Sequence, residues 1–438
     1  MSRLGSWLSR PGVIVVVAFL IRFGLVYHLH SHGPYPISEV YPIGYETGRI
    51  AKSLASGQGY SSPLNVPTGP TAWMTPLYPL ILAGIFKLFG IYTWTSYMVS
   101  LALNCVFSAL TAWVVYAIGE RAFGRTCAVT AAWLWTFLPP AVLYPATWVW
   151  DMSLSALLFA LVLLATICVV DSDRPAAWTG YGALWGAGAM TNAAMVSTLP
   201  FLVGWLAVQL RARRARWREL TLVSMAMFAL VISPWFIRNY VVFHRLILFR
   251  SNFGLELWLG NNPQNPGIWS WWLHPNENPE EGEVFARLGE IGYMSLKQRE
   301  AIDFIKADPR EFYEQTLHRF ADNWTGIDEP LGDRLRGPWY VVTVLLINAF
   351  FPLLALPGTL LAYRRGNRYA YPFAMAVLVF PLVYYVTHTT ARYRHPLDPL
   401  LCVLAAVGAL APFTWLAGRR ASTQSKAHGR AVRETVSA

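Results

Sequence analysis

Three carboxylates and four arginines attract attention because of where they stand. Glu39 and Glu46 follow the first very apolar run. Asp151 heads a later run. Arg238 and Asn239 close another, with Arg250 and Asn252 just beyond. Arg392 and Arg394 lie in ARYRHP, Ala391 to Pro396, which opens the last run. Charges at membrane depth are costly, so such residues pair with each other or bind something. A carboxylate can take a proton, and the planar arginine fork suits a phosphate. In GYETGRIAKSLASGQGY, Gly44 to Tyr60, Glu46, Arg49 and Lys52 fall at helical spacing. A bland reading is an Glu46–Arg49 pair on a solvated helix face. On such a helix Ile50 and Leu54 would face the bilayer or the bundle, and Glu46 and Arg49 a cleft. No Walker loop, HExxH, GxSxG or paired CxxC occurs, so those chemistries lack support.

The surroundings of these residues are oily. The chain has 438 residues, 55% hydrophobic and 13% charged, against about 25% charged in soluble domains. Twenty tryptophans add the ring load expected at membrane–water interfaces. Long continuous apolar runs exclude a barrel. The expectation is an all-α polytopic membrane protein with about ten spans, near 12–30, 96–118, 127–147, 153–170, 177–191, 195–210, 220–237, 340–361, 370–387 and 397–416. The first run is long enough to span and lacks a clear cleavage site, so no cleaved leader is expected. Cys105, Cys127, Cys168 and Cys402 lie in apolar runs and read as small buried hydrophobes.

Basic loops orient the chain. RAFGR, RARRARWRE, YRRGNR and the tail from Gly418 all fall on the cytoplasmic side if Leu77 to Phe89 does not cross. That segment is then a juxtamembrane or re-entrant helix. The net charge of +11 is explained by orientation and anionic lipid, without nucleic acid. Residues 1–237 form an N-terminal membrane module with an outer loop at 31–95. Residues 238–338 form a small α-rich outer cap, 339–417 the C-terminal membrane helices, and 418–438 a basic, disordered cytoplasmic tail. In the cap, two helical patterns at about 280–307 and 309–323 flank ADPR, where Asp308-Pro309 marks a new helix start. GYGALWGAG, Gly180 to Gly188, reads as close helix packing.

The order of these features resembles the membrane glycosyltransferases of the GT-C superfamily. An acid-bearing amphipathic helix precedes SGQGYSSP, then TAWMTPLYPLILAGIFKLFG, then a span ending in ERAFGR, and RYRHP stands before a late span. The similarity covers most of the chain, and the first 125 residues carry its most specific part. Protein O-mannosyltransferases and the lipid A aminoarabinose transferase are of this type. Their first outer loop often carries Asp or an Asp-Glu pair soon after the first span. Here Ser38-Glu39 and Tyr45-Glu46 stand there, so the base is Glu46 or Glu39.

The resemblance implies transfer of a sugar from a polyprenyl-phosphate donor to a glycan, lipid or protein acceptor at the outer face. It implies an inverting single displacement with a carboxylate base and cations on the leaving phosphate. Glu46, Glu39 and Asp151 are the catalytic candidates, Asp151 having helix capping as its bland alternative. Arg392, Arg394, Arg238, Lys87 and Arg250 are the phosphate candidates. Interface anchoring and snorkelling are the bland alternatives for Arg392, Arg394, Arg238 and Lys87. Tyr45, Arg49, Tyr78, Asn239, Asn252 and His395 complete the candidate substrate contacts. His395 has only His388 near it and no carboxylate-rich pair, so it reads as structural and not as a metal ligand. No cofactor is required, and a divalent ion is compatible with the chemistry. The setting is a prokaryotic inner or plasma membrane with both termini cytoplasmic. Two rival classes are a transporter or flippase, which would show two similar halves and mid-membrane charges, and an envelope polysaccharide ligase or polymerase. Specificity would lie in 61–75 and 239–338.

Overall fold

The structure, a computed structural model, describes residues 3–31, 43–264, 270–326 and 339–413. Glu39 and the basic tail 418–438 lie outside the described residues. The order is α1 (Arg3–Leu8), α2 (Pro11–His30), α3 (Tyr45–Ala55), α4 (Leu77–Phe89), α5 (Trp94–Phe123), α6 (Arg125–Phe137), α7 (Pro139–Thr147), α8 (Met152–Val169) and α9 (Pro175–Ala189). There follow α10 (Leu199–Ala212), α11 (Trp217–Phe243), α12 (Phe253–Gly260), α13 (Pro279–Ala307), α14 (Pro309–Thr325), α15 (Trp339–Arg364), α16 (Ala370–Val379) and α17 (Leu382–Val386). The last span among the described residues is Ala391–Phe413. Among the described residues the only β contact is one antiparallel bridge between Ser61 and Pro70.

Seven helices in the described residues are long and apolar enough to cross a membrane. The pair α6–α7, bent by 44°, makes an eighth if it is one span. The bend has a local cause: Leu138 is extended, as a residue before proline tends to be. Two of the ten expected spans fall short. The segment at 177–191 is the 15-residue α9, and 370–387 is a shorter apolar helix. A full crossing takes about 20 residues, so among the described residues the count of ten is not confirmed. Helix α4 has 13 residues.

Two apolar cores organise the molecule. One joins the membrane helices α2, α4 to α10 and α15 with the last span. The other joins Ile50, Tyr60, Trp73 and Met74 of the first outer loop to Leu255, Trp258, Phe285 and Tyr293 of the cap. Loop and cap therefore pack as one unit. Ile50 of α3 is fully buried in a core that also takes in Ile232 and Trp235 of α11, so it packs inside the protein and not against lipid. Outward-facing leucines such as Leu353, Leu356 and Leu360 on α15 remain exposed, as an apolar solvent permits.

A few arginines staple the layers. Arg22, buried in α2, donates to the Ser108 hydroxyl and to the carbonyls of Ala18, Thr136 and Trp135. These bonds tie α2 to α5 and α6 and satisfy a cation that apolar surroundings would otherwise penalise. In the cap, α13 and α14 are separated at Asp308, whose side chain accepts from the Glu311 amide at 3.0 Å. A helix start with Pro at the first position fits that cap, as the sequence indicates.

Candidate active site

Glu46 is positioned by the way the first outer loop meets the chain between α7 and α8. Gly44 has a φ of 55°, and a Cβ there would sit 2.7 Å from the Val149 carbonyl oxygen. Only glycine allows both the left-handed turn and that approach. The helix α3 that follows is nearly enclosed, and Glu46 is 8% exposed. This overturns the reading of a solvated helix face. Burial pushes the Glu46 carboxyl above the ordinary carboxylate range, and the Glu256 charge adds to this. The charges of Arg49 and Arg392 act in the opposite direction. His274 of the cap places Nε2 3.4 Å from Glu46 Oε1.

Two further acids share charged neighbours with Glu46. Asp151 stands before α8 but makes no capping bond to it. Its Oδ2 accepts from the Ser155 hydroxyl at 2.9 Å, and burial raises its pKa against the charges of Arg250 and Arg392. Glu256 is the third acid and comes from α12. Burial pushes its carboxyl up, but the bond and charge of His388, with Arg250 and His274, outweigh this and hold it down at about 2. Asn252 also donates to Glu256, and Arg250 Nη2 lies 3.5 Å away. The approach of His388 depends on Gly260, where a Cβ would meet the Thr387 carbonyl oxygen at 1.7 Å.

The expected arginines divide. Arg392 lies over the rings of Trp148, Trp150 and Tyr393 at 5.3, 4.9 and 5.3 Å, and its charge reaches Glu46, Asp151 and Tyr393. Tyr393 in turn stacks on Tyr384 at 4.7 Å. Arg250 donates to the Trp73 carbonyl at 3.0 Å while its charge acts on Asp151 and Glu256. Arg394, two residues from Arg392, turns inward instead. It is 2% exposed, pairs with Asp398 at 3.1 Å and donates to the Trp324 and Asn348 carbonyls. Contrary to the expectation of a phosphate ligand, its fork is occupied by the protein. Arg238 is corrected in the same way: it donates to the carbonyls of Thr71 and Tyr60 and pins the first outer loop to α11.

The remaining candidates are placed as follows. Arg49 donates to the Pro63 carbonyl and lies over the Tyr45 ring at 4.8 Å. Tyr45 donates its hydroxyl to Glu277 of the cap. Tyr78 is buried and donates to Asn104, and Asn239 is buried beside Arg238. His395 is fully buried, bonded to Asp398 and stacked on Trp135. These three are internal side chains and not open substrate contacts. Lys87 is exposed in the last turn of α4. Among the described residues no group of three or more His, Cys, Asp or Glu side chains is arranged to hold a metal ion.

Sequence reasoning passed over Glu256, His274 and His388. Glu256 had a signal: it is the single charge in the octad FGLELWLG. The two histidines had none, because only folding brings residues 46, 256, 274 and 388 together. Arg319 was also missed. It is 2% exposed and donates to Tyr385 and Val386 carbonyls and to Gln315 and Asn261. It thereby fixes the segment that carries His388.

The fold has solved counterparts. The oligosaccharyltransferase AglB from Archaeoglobus fulgidus, in complex with an inhibitory peptide and a dolichol-phosphate, superposes with a TM-score of 0.53 at 18% identity over 95% of this chain. Its apo form gives 0.55 at 17% identity, again over 95% of this chain. This chain spans about half of that enzyme, 52%. ArnT from Cupriavidus metallidurans, bound to undecaprenyl phosphate, gives 0.42 at 17% identity, covering 91% of this chain and 77% of that one. Residues 71–237 match the family described as dolichyl-phosphate-mannose-protein mannosyltransferase. A search of curated protein sequences gave no significant match. The fold is that of a multi-pass, all-α membrane protein of GT-C type. The chain resembles the GT-C membrane glycosyltransferases, a superfamily to which AglB and the mannosyltransferase family both belong.

Proposed function

We propose that this protein transfers a hexosyl or pentosyl group from a polyprenyl-phosphate carrier to an acceptor hydroxyl, with Glu46 as general base. The observation that carries this reading is a buried carboxylate, Glu46, within reach of the charges of Arg392 and Arg49 where the first outer loop, the cap and the approach to the last span meet. The carrier named in the matched family's description and the dolichol-phosphate bound by the archaeal enzyme support a lipid-phosphate donor.

In this reading the acceptor oxygen attacks the anomeric carbon from the face opposite the phosphate. The new C–O bond forms as the bond from that carbon to the phosphate oxygen breaks, and the electron pair leaves with the phosphate. Glu46 takes the hydroxyl proton. Its raised pKa brings the base closer to the working pH, which favours proton transfer. Arg392, held by aromatic rings, and Arg250 stabilise the charge that grows on the phosphate. Asp151 orients the acceptor or the sugar. The step requires no cofactor, and a divalent ion beside the phosphate is compatible with it. The reaction takes place on the outer face of a prokaryotic plasma or inner membrane, with the basic loops and both termini cytoplasmic. Helix α4 stays on the outer side. The outer unit of loop and cap selects the acceptor, which is a glycan, a lipid or a protein.

The test is transfer by the purified, reconstituted full chain from a panel of polyprenyl-phosphate sugars, read by product mass and anomeric configuration. An inverted product supports the reading. A retained anomer, or no transfer from any carrier, rejects it.

A further inference from the structure

His274 lies in the link between a short turn, Trp271–Leu273, and α13. Its main chain is well fixed, because its carbonyl accepts from the amides of Glu277 and Asn278 at 2.8 and 2.9 Å. The ring is 7% exposed. It packs edge-on to Trp73 at 5.5 Å and to Tyr45 at 6.2 Å between centroids. The Asn276 amide donates to Nδ1 at 3.2 Å. In a neutral imidazole one nitrogen accepts and the other carries the hydrogen. With Nδ1 accepting, the hydrogen is on Nε2, and Nε2 is the atom 3.4 Å from Glu46 Oε1.

The charged and titratable groups that act on this ring come from several elements. Glu46 and Arg49 approach from α3, Glu256 from α12 and His388 from the entry to the last span. Burial pushes the ring's pKa down to about 4; Glu256 opposes this, while Arg49 and His388 act in the same direction as burial. A neutral ring supplies a hydrogen-bond donor without placing a full positive charge against Glu46. An imidazolium would stabilise the carboxylate far more and make it a weaker base.

We infer that His274 is a positioning residue for Glu46: the cap reaches into the first outer loop and holds Oε1 through a neutral Nε2–H, leaving Oε2 to take the acceptor's proton. This rests on the reading of Glu46 as the base. The cap therefore takes part in the chemistry as well as in selecting the acceptor. The orientation of the base depends on a residue more than two hundred positions along the chain.

Two measurements on the full chain in detergent test this. The first does not need turnover. Carboxyl labelling of Glu46 with a water-soluble carbodiimide and taurine is followed by peptide mass spectrometry from pH 5 to 8. Loss of a donor to the carboxylate in His274→Ala should move the labelling midpoint up by about one pH unit. His274→Gln, whose amide N–H replaces Nε2–H, should restore most of it. A midpoint unchanged in His274→Ala overturns the inference. The second is transfer from undecaprenyl-phosphate sugars. His274→Ala should lower kcat about tenfold, with donor KM within about twofold and partial rescue by Gln. Loss confined to KM, or no rescue by Gln, makes the residue a packing element and overturns the inference. The Glu46→Gln arm separates the two readings. If that variant turns over normally, the base assignment fails; if it is inactive while His274→Ala is normal, only the role of His274 fails.

Discussion

Helix α8 carries acids at both ends, and their surroundings differ. At its start Asp151 is half-buried, bonded to Ser155 and influenced by Arg250 and Arg392. Beyond its end Asp171 and Asp173 pair with Arg213 at 3.9 and 3.4 Å, and Asp171 also pairs with Arg368. Those side chains are 37–62% exposed. Exposed pairs of this kind contribute about 0–1 kcal/mol, because water and salt screen them. Buried groups that shift one another's protonation are typical of working sites. Both ends hold similar residue types, and enclosure separates a latch from a candidate site.

Substitutions across the molecule sharpen that contrast. The largest effect belongs to Glu46→Gln, which keeps the shape but removes the proton acceptor. Transfer should drop by at least about 10²-fold with thermal stability unchanged. Turnover near normal would return Glu46 to a structural role and direct attention to Glu39, whose Gln variant is otherwise expected to have a much smaller effect.

Next come the two arginines of ARYRHP, which should fail in different assays. Arg394→Ala removes the cationic partner of buried Asp398, leaving it only His395, and should cost about 3–5 kcal/mol of stability, seen as a large drop in melting temperature. Arg392→Ala should leave the melting temperature nearly intact and weaken donor use, with Lys restoring only part, since an ammonium lacks the fork. If Arg392→Ala transfers sugar at the wild-type rate, this arginine is an anchor on its aromatic neighbours.

A smaller effect concerns acid stability. His274 has a folded pKa of about 4 against an ordinary 6.5, so the unfolded chain takes up that proton first. This contribution to stability is complete above 6.5 and is lost as pH falls toward 4. In His274→Gln, stability measured across that window should decline less steeply than in the wild type. An equal slope in both proteins would show that the ring does not titrate as described.

The smallest effect is expected at the exposed end of α8. Asp171→Asn should change stability by no more than about 1 kcal/mol, with the difference shrinking in high salt and transfer unaffected. A loss of activity there would mean that the two ends of α8 are coupled.

Much of this was legible without coordinates. Low charge and long apolar runs gave an all-α membrane protein, because an apolar solvent leaves the backbone few other ways to satisfy its hydrogen bonds. The helix start at Asp308-Pro309 was legible because caps are local. The acid of α3 stood out as a carboxylate beside an oily run. The number of spans was less legible, because the segment Ala370–Val386 is apolar but short and α9 has only 15 residues.

Composition and local spacing thus determined which residues are expensive to bury: Glu46, Asp151, Arg238, Arg250, Arg392 and Arg394. They could not determine which of these were neutralised by the protein itself. Arg392 and Arg394 are two positions apart in one short turn, Ala391–Leu397, yet one faces Trp148 and Trp150 and the other Asp398 and the Trp324 carbonyl. That outcome depends on which distant carbonyls, carboxylates and rings the fold brings within about 3–6 Å. Asp398 is only four positions from Arg394, but Trp148, Trp150 and Trp324 lie tens to hundreds of residues away, so the tertiary structure decides it.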